Sequence, residues 1–469
     1  MRKVNKILLL FLFLTQIVCS QDSLKLSRNE FLSIVKNYHP LALRYRTQNK
    51  IASQEVLKSK GNFDPTIEAK NGSKTIDGVD YYNENNIRLG VPTWYGVDFS
   101  GSYSSISGQK LNNSDTKGGL YQLGVNVPLA KNLLYDKRRA LLDQARIAQK
   151  MTMAEQQLLQ NELLLDAENC YWEWVKQYEL LQLQHRNVKV NKQRLKLVVS
   201  TFKYGERSAI DTTEALSQLM GFELQMEDAQ LKFTKQTQQL SLYLWTENNL
   251  PYDITKLLVP TDKLRNTDAY NDYAGLMMDI QKQDIHQHAA LQYYYQKKQI
   301  LESERRLKQQ SMLPKIDFNY NFVNKEKYRS EYFPLFQDNY QYGIKLEMPL
   351  FLREARADYQ MSKMKLVQNK LDIDFKQQEV KIKIANYITE TLNYKKQIDI
   401  TDQNVINYNR LLYAEEKRYE TGESSLFLIN SRETKLLEAE LKLIELRLKF
   451  MNSYNQLKWI RENFSSSSF

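Results

Sequence analysis

The stretch Tyr340-Gln341-Tyr342-Gly343-Ile344-Lys345-Leu346-Glu347-Met348-Pro349-Leu350-Phe351 decides the fold. From Tyr340 to Met348 every second residue is apolar or aromatic, with Gln341, Gly343, Lys345 and Glu347 between them. A period of two sends successive side chains to opposite faces, so the run predicts a strand with one apolar and one polar face. Ile316, Phe318, Tyr320 and Phe322 repeat the pattern against Lys315, Asp317, Asn319 and Asn321. Far upstream, Tyr121, Leu123, Val125 and Val127 repeat it again against Gln122, Gly124 and Asn126. Lipid outside and water inside produce this alternation, and so does a soluble antiparallel sheet lying on a core.

Outward from these strands the chain proves to be written twice. His39 to Pro65 and His288 to Pro314 span the same distance, and within that frame Ile51, Glu55 and Ile67 meet Ile300, Glu304 and Ile316. Val127-Pro128-Leu129 matches Met348-Pro349-Leu350, and Phe202-Lys203-Tyr204-Gly205-Glu206 matches Tyr419-Glu420-Thr421-Gly422-Glu423. Landmarks in the same order imply a duplicated supersecondary unit. The expected organisation is a leader at 1–20, a first repeat at 21–248, an irregular linker at 249–272 holding Pro251 and Pro260, a second repeat at 273–462, and a tail at 463–469. Each repeat reads as a helix (27–60; 273–310), strands (63–128; 314–350), a very long helix (133–202; 353–420) and, after a glycine turn, a second helix (208–246; 425–462). The first repeat holds an additional alternating hairpin, Ile87, Leu89 and Val91 followed by Val97, Phe99 and Tyr103, turned at Thr93–Gly96. Alternation alone does not say whether this hairpin extends the same wall. Tyr328 to Tyr340 reads as an outward loop.

The long helices carry coiled-coil patterning. Leu164, Ala167, Tyr171, Trp174, Tyr178 and Leu181 recur at alternating spacings of three and four, which is a packing seam. Ile429, Leu436, Leu443 and Phe450 recur every seven residues, with Leu437, Leu441, Ile444 and Leu448 as a second stripe beside them. Two stripes suit a closed wall of helices with a neighbour on each side. A helix of about 67 residues is roughly 100 Å long, enough to bridge a compartment. A coiled-coil rod would explain the helices, but neither the strands between them nor the duplication.

Composition narrows the setting. Arg2, Lys3 and Lys6 precede an apolar run, Ile7 to Leu14, too short to span a bilayer. This reads as a secretory signal cut before Gln21. Processing at Cys19 as a lipoprotein is the rival, against which Val18 stands where a small residue is wanted. No later stretch approaches a membrane-spanning helix, and a closed β-barrel is the other structure that satisfies backbone groups in lipid. Removing the three leader cations takes the net charge from +11 to +8. Both signs are interspersed, as on solvated helix faces, so nucleic acid is not an expected partner. Once the leader has gone, Cys170 is the sole thiol and no internal disulfide is possible. His286 and His288, two apart, do not share a helix face. No metal, phosphate-cradling or nucleophile motif appears, so no enzyme activity, cofactor or metal is expected.

Leu313-Pro314 before a strand, Met348-Pro349-Leu350-Phe351 leading into a long helix, and Tyr419-Glu420-Thr421-Gly422 between long helices together resemble the TolC family of outer-membrane efflux proteins. That resemblance implies an α+β membrane protein with long antiparallel coiled-coil helices, transmembrane β-strands and two structural repeats per chain. It implies a homotrimer sharing one twelve-stranded barrel, four strands per protomer, in the outer membrane of a Gram-negative bacterium, with an α-helical tunnel in the periplasm. The implied function is a passive exit duct of tripartite efflux or type I secretion, served by a periplasmic adaptor and an inner-membrane pump. A coiled-coil adaptor or scaffold without a pore is the alternative.

Carried over residue by residue, Tyr419 falls on the family's gate tyrosine and Asp211 on the carboxylate that partners it across the closed tip. Gly205, Glu206, Gly422 and Glu423 fall on the adaptor-docking turns. Ser424 stands where the family has a gate arginine, and Leu428 and Ser431 stand where acidic rings line the tip.

Overall fold

The computed structural model describes residues 24–112, 115–252, 258–265, 268–325 and 339–464. The expected leader, most of the Tyr328–Tyr340 loop and the tail beyond 464 lie outside the described residues. In chain order the first repeat forms β1 (Leu24–Leu26), α1 (Arg28–Tyr38), α2 (Pro40–Lys60), β2 (Thr66–Ile76), β3 (Val79–Pro92), β4 (Asp98–Ser107), β5 (Gly118–Pro128), α3 (Lys137–Lys203) and α4 (Ala209–Ser241). Then follow β6 (Leu258–Pro260), α5 (Ala269–Lys282), α6 (Ala289–Gln310), β7 (Lys315–Lys325), β8 (Tyr340–Glu347), α7 (Arg353–Glu420) and α8 (Leu426–Phe464).

Several boundaries differ from the sequence reading, each for a local reason. The first helix of each repeat is broken. Pro40 follows His39, whose φ −65°, ψ 132° is the extended conformation that proline imposes on its predecessor. His288 is extended in the same way, and each histidine caps the following helix, its Nδ1 accepting the N–H of Leu41 or Ala290. The first long helix begins at Lys137 rather than near 133. The preceding segment is tied down by Arg139, which donates to the carbonyls of Asn132 and Leu133, and Asp136 caps the helix through the Arg139 N–H at 2.8 Å. The linker is not irregular throughout. Leu258 and Val259 are buried, and β6 pairs in parallel with β1, Leu24 opposite Leu258.

The chain divides into two compact units that cut across the repeats. One comprises Arg46–Leu158 and Ile285–Val380 and contains a six-stranded sheet in the order β2-β3-β4-β5-β7-β8, antiparallel throughout. The sheet has six strands where the resemblance implies four per protomer, and the additional hairpin expected from the sequence forms β3 and β4, paired between β2 and β5. Asp77 and Gly78, with φ 51° and 76°, make the two-residue turn between β2 and β3 that matches the strand twist. Ladder pairs place Ile67 beside Leu89, Val91 beside Phe99, Leu123 beside Phe322 and Phe318 beside Ile344, so one face carries an apolar band that crosses the sheet from β2 to β8.

The other unit holds the chain up to Tyr45, Leu159–Asp284 and the chain from Lys381. Its core is centred on Phe31, Tyr171, Trp174, Leu240 and Phe450, all fully buried. Tyr171 stacks on Phe31 at 5.5 Å and donates to Asp262 at 2.6 Å, and Trp174 donates to Thr237. Burial pushes the Cys170 thiol up to about 11, leaving it a packed, unreactive group. The heptad positions Ile429, Leu436, Leu443 and Phe450 are buried together, as a coiled-coil seam requires.

Candidate gate and docking turns

Both long helices reverse through the same turn. Gly205 and Gly422 have φ 78° and 83°, a left-handed conformation that glycine adopts without a steric penalty. Glu206 N–H donates to Thr201 and Gly205 N–H to Phe202, and Glu423 donates to Arg418 and Gly422 to Tyr419. This pair of bonds is the Schellman closure, which satisfies the last carbonyls of a helix. No atom lies within 4 Å of a Cβ built on either glycine, so backbone conformation alone demands it. Glu206 and Glu423 are exposed beside these turns.

Tyr419, in the last turn of α7, is half-buried against Val198, Ala215 and Leu426. Its hydroxyl is enclosed and makes no hydrogen bond among the described residues. Burial raises its phenol pKa, Arg207 opposes that rise, and Asp211 adds to it. The Arg207 guanidinium lies over the Tyr419 ring at 4.0 Å and donates to the Tyr419 carbonyl at 2.9 Å. Asp211 sits in the first turn of α4, where its Oδ2 accepts the N–H and hydroxyl of Ser208 at 3.2 and 3.0 Å. Within one chain Asp211 therefore caps its own helix and is not hydrogen-bonded to Tyr419.

Several residues absent from the sequence reading hold this end together. Arg194 on α3 bonds Glu433 on α8 at 2.7 Å and Glu416 on α7 at 3.2 Å, and Asn191 donates to Glu433 at 3.0 Å. Asn430 donates to Glu214, and buried Glu415 accepts from Ser424 at 2.6 Å with Arg432 at 3.7 Å. Arg207 could have been found: aligning the turns places it opposite Ser424, so the arginine missing from the second turn stands in the first. The Arg194 cluster had no signal, because charged residues on a long helix resemble a solvated face. Among the described residues no group of His, Cys, Asp and Glu is arranged to hold a metal, and no helix is long and apolar enough to cross a membrane.

The sequence profile described as outer membrane efflux protein matches residues 96–244 and 285–460, well over half of the chain. The chain belongs to the outer membrane efflux protein family. Among solved structures, this efflux protein resembles the CmeC outer membrane channel of Campylobacter jejuni at 12% identity and a TM-score of 0.64, covering 94% of this chain and 87% of that one. It resembles the outer membrane protein VceC of Vibrio cholerae at 14% identity and 0.63, covering 93% and 97%. For the open state of the Neisseria gonorrhoeae MtrE outer membrane channel the values are 12%, 0.62, 93% and 88%. No curated protein matches at the level of sequence. This efflux protein is thus a passive duct of the TolC type in the outer membrane, not an enzyme, and its helices extend into the periplasm. Channels of the family are homotrimers that work with adaptor and pump partners.

Proposed function

We propose that the helix reversals at Gly205 and Gly422 form the closable, partner-docking end of this efflux duct, and that Tyr419 and Asp211 close it in the homotrimer. The observation that carries this reading is an enclosed Tyr419 hydroxyl that makes no hydrogen bond among the described residues, held at the reversal by Arg207 from the segment that also bears Asp211. A phenol donor and a carboxylate acceptor make a strong, charge-assisted bond. Asp211 Oδ2 is occupied by Ser208, which leaves Oδ1 to accept from a phenol when neighbouring coils close. Arg207 lies over the Tyr419 ring and supplies the cation that Ser424 does not.

Glu206 and Glu423, exposed beside the glycines, are the proposed contact points for a periplasmic adaptor, which in turn couples the duct to an inner-membrane pump. Leu428 and Ser431 leave the constriction without an acidic ring, so the tip is expected to select cations weakly.

The experiment is single-channel recording in planar bilayers with Tyr419→Phe and Asp211→Asn combined. A higher conductance than the parent trimer supports the gate, and an unchanged conductance removes it. For docking, photo-crosslinkers at positions 206 and 423 should capture the adaptor in the intact envelope. Capture only from positions remote from the turns rejects the assignment.

A further inference from the structure

The β3–β4 hairpin lies within the barrel wall, and we infer that three copies of this chain close a barrel of eighteen strands, β8 of each protomer pairing with β2 of the next. The family position of the sheet in the outer membrane is the premise, and the strand count is the new step.

Three observations carry it. First, the hairpin is central in the sheet. β3 and β4 stand between β2 and β5, with continuous pairing from Asn83 opposite Ser107 to Pro92 opposite Asp98, and onward from Phe99 opposite Val125. A hairpin lying outside the wall would let β2 meet β5 directly, and it does not.

Second, the hairpin keeps the wall's two faces. Leu89 and Phe99 are 43% and 49% exposed, on the same face as Ile67 at 78% and Ile344 at 65%. Among the described residues nothing covers these apolar side chains, and a lipid-facing band is the setting that suits them. On the opposite face Asn86, Arg88, Ser102, Gln122, Asn319 and Gln341 line one concave polar cleft of about 440 Å³. Residues of β3 and β4 therefore curve around the same interior as β5, β7 and β8.

Third, the two edges are complementary. Among the described residues β2 pairs only with β3, and β8 only with β7. Six antiparallel strands leave the first and last running in opposite directions, so β8 of one copy meets β2 of the next in the antiparallel sense. An open edge cannot persist in hydrocarbon, where no water satisfies its N–H and C=O groups, and only closure removes it. The occupant is a second copy of this chain, because closure by threefold repetition uses both edges of every protomer. Barrel diameter grows roughly linearly with strand number, so this wall is about one and a half times as wide as one of twelve strands. The outer opening is then wide and water-filled, and the narrowest point of the path lies elsewhere along it.

The test uses the reconstituted full-length trimer with native cysteines replaced by serine. Leu89→Cys and Phe99→Cys carry an environment-sensitive fluorophore, with Ile344→Cys on β8 as the reference for bilayer immersion. The inference expects nitroxide-labelled lipid to quench positions 89 and 99 as strongly as 344, with no loss of signal to aqueous iodide. If 344 is quenched by lipid but 89 and 99 by iodide, the hairpin lies outside the wall and the eighteen-strand barrel is overturned alone. If 344 is also open to iodide, the membrane placement itself fails, and the inference with it. A second arm pairs Ile67→Cys with cysteine at 342, 344 or 346. Covalent trimers on a non-reducing gel support β8–β2 closure. A disulfide formed instead within one chain between Ala69→Cys and Leu123→Cys would show β2 against β5 and overturn it.

Discussion

The two helix reversals share a backbone and differ in their side chains. Gly205 and Gly422 take nearly the same φ and close the same pair of hydrogen bonds. Around them the first turn carries Phe202, Arg207 and Asp211, where the second carries Tyr419, Ser424 and Leu428. One reversal supplies a cation and a carboxylate, and the other supplies a phenol. Chain reversal demands glycine and its bonds, so duplication preserved them. The flanking side chains answer to no such demand and were free to take complementary roles. Arg207 over the Tyr419 ring is a contact between the repeats, which two identical turns could not make.

That division of labour is most easily broken where the repeats are joined by buried charge. Arg194 and Glu433 are 11% and 8% exposed. Glu433→Ala leaves the guanidinium with the half-open Glu416 and the Asn191 amide oxygen, and a loss of about 3 kcal/mol is expected, since removing the buried partner of a buried pair leaves the other charge poorly compensated. Denaturant unfolding of the detergent-solubilised trimer, followed by helix circular dichroism, measures it. Glu440→Ala, which breaks the more open pair with Arg186, should cost under about 1 kcal/mol. Equal losses for the two variants would remove the special role of the buried cluster.

The glycines test the shared part of the comparison. Gly205→Ala and Gly422→Ala should each cost about 1–2 kcal/mol, the penalty for a side chain in a left-handed conformation. The two values should agree, because an added Cβ meets nothing at either turn. Unequal values would mean that the turns are not equivalent even in backbone. Thermal midpoints of the two variants, recorded side by side, decide this.

The helix caps test the part that differs. Ser208 shares the Asp211 carboxylate through both its N–H and its hydroxyl, whereas Ser425 has only a 3.4 Å contact from the Leu428 N–H. Ser208→Ala is expected to cost about 1 kcal/mol and Ser425→Ala measurably less. The reverse order in the same thermal assay would contradict the assignment of Asp211 as a capping carboxylate.

What was legible in the chain follows the same line between geometry and specialisation. Period-two runs such as Tyr340–Met348 and heptads such as Ile429–Phe450 are imposed by two-faced burial, and they read directly. Gly205 and Gly422 read because a helix reversal has few alternatives. β2 was almost silent: Glu68, Lys70, Asn71, Gly72 and Ser73 show no apolar alternation, and only pairing with β3 makes the segment a strand. β6 was hidden in a proline-bearing stretch, because its partner, β1, lies more than two hundred residues away. The Arg194–Glu433 pair was hidden for a different reason. Burial of a charge on a long helix depends on which helix packs over it, and one helix's sequence does not record that.

His39 offers the finest version of the comparison, because it and His288 cap equivalent helices. Around His39 the neutral ring is fully used: Nδ1 accepts the Leu41 N–H at 3.2 Å, and the ring also bonds the Leu242 carbonyl. Protonation would turn Nδ1 into a donor facing a donor. Burial holds the ring's pKa below its ordinary 6.5, with the Leu242 carbonyl pulling the other way. In the unfolded chain the ring takes up its proton first as pH falls. The stability tied to the neutral ring is therefore whole above 6.5 and declines as pH drops from there through the lower folded value. His39→Asn keeps a capping acceptor for Leu41 without a titrating group. It is expected to flatten the fall in thermal midpoint between neutral and mildly acidic buffer by a fraction of the total, while changing the midpoint at high pH little. An acid slope identical to that of the parent protein would show that the cap at the first repeat does not sense protons.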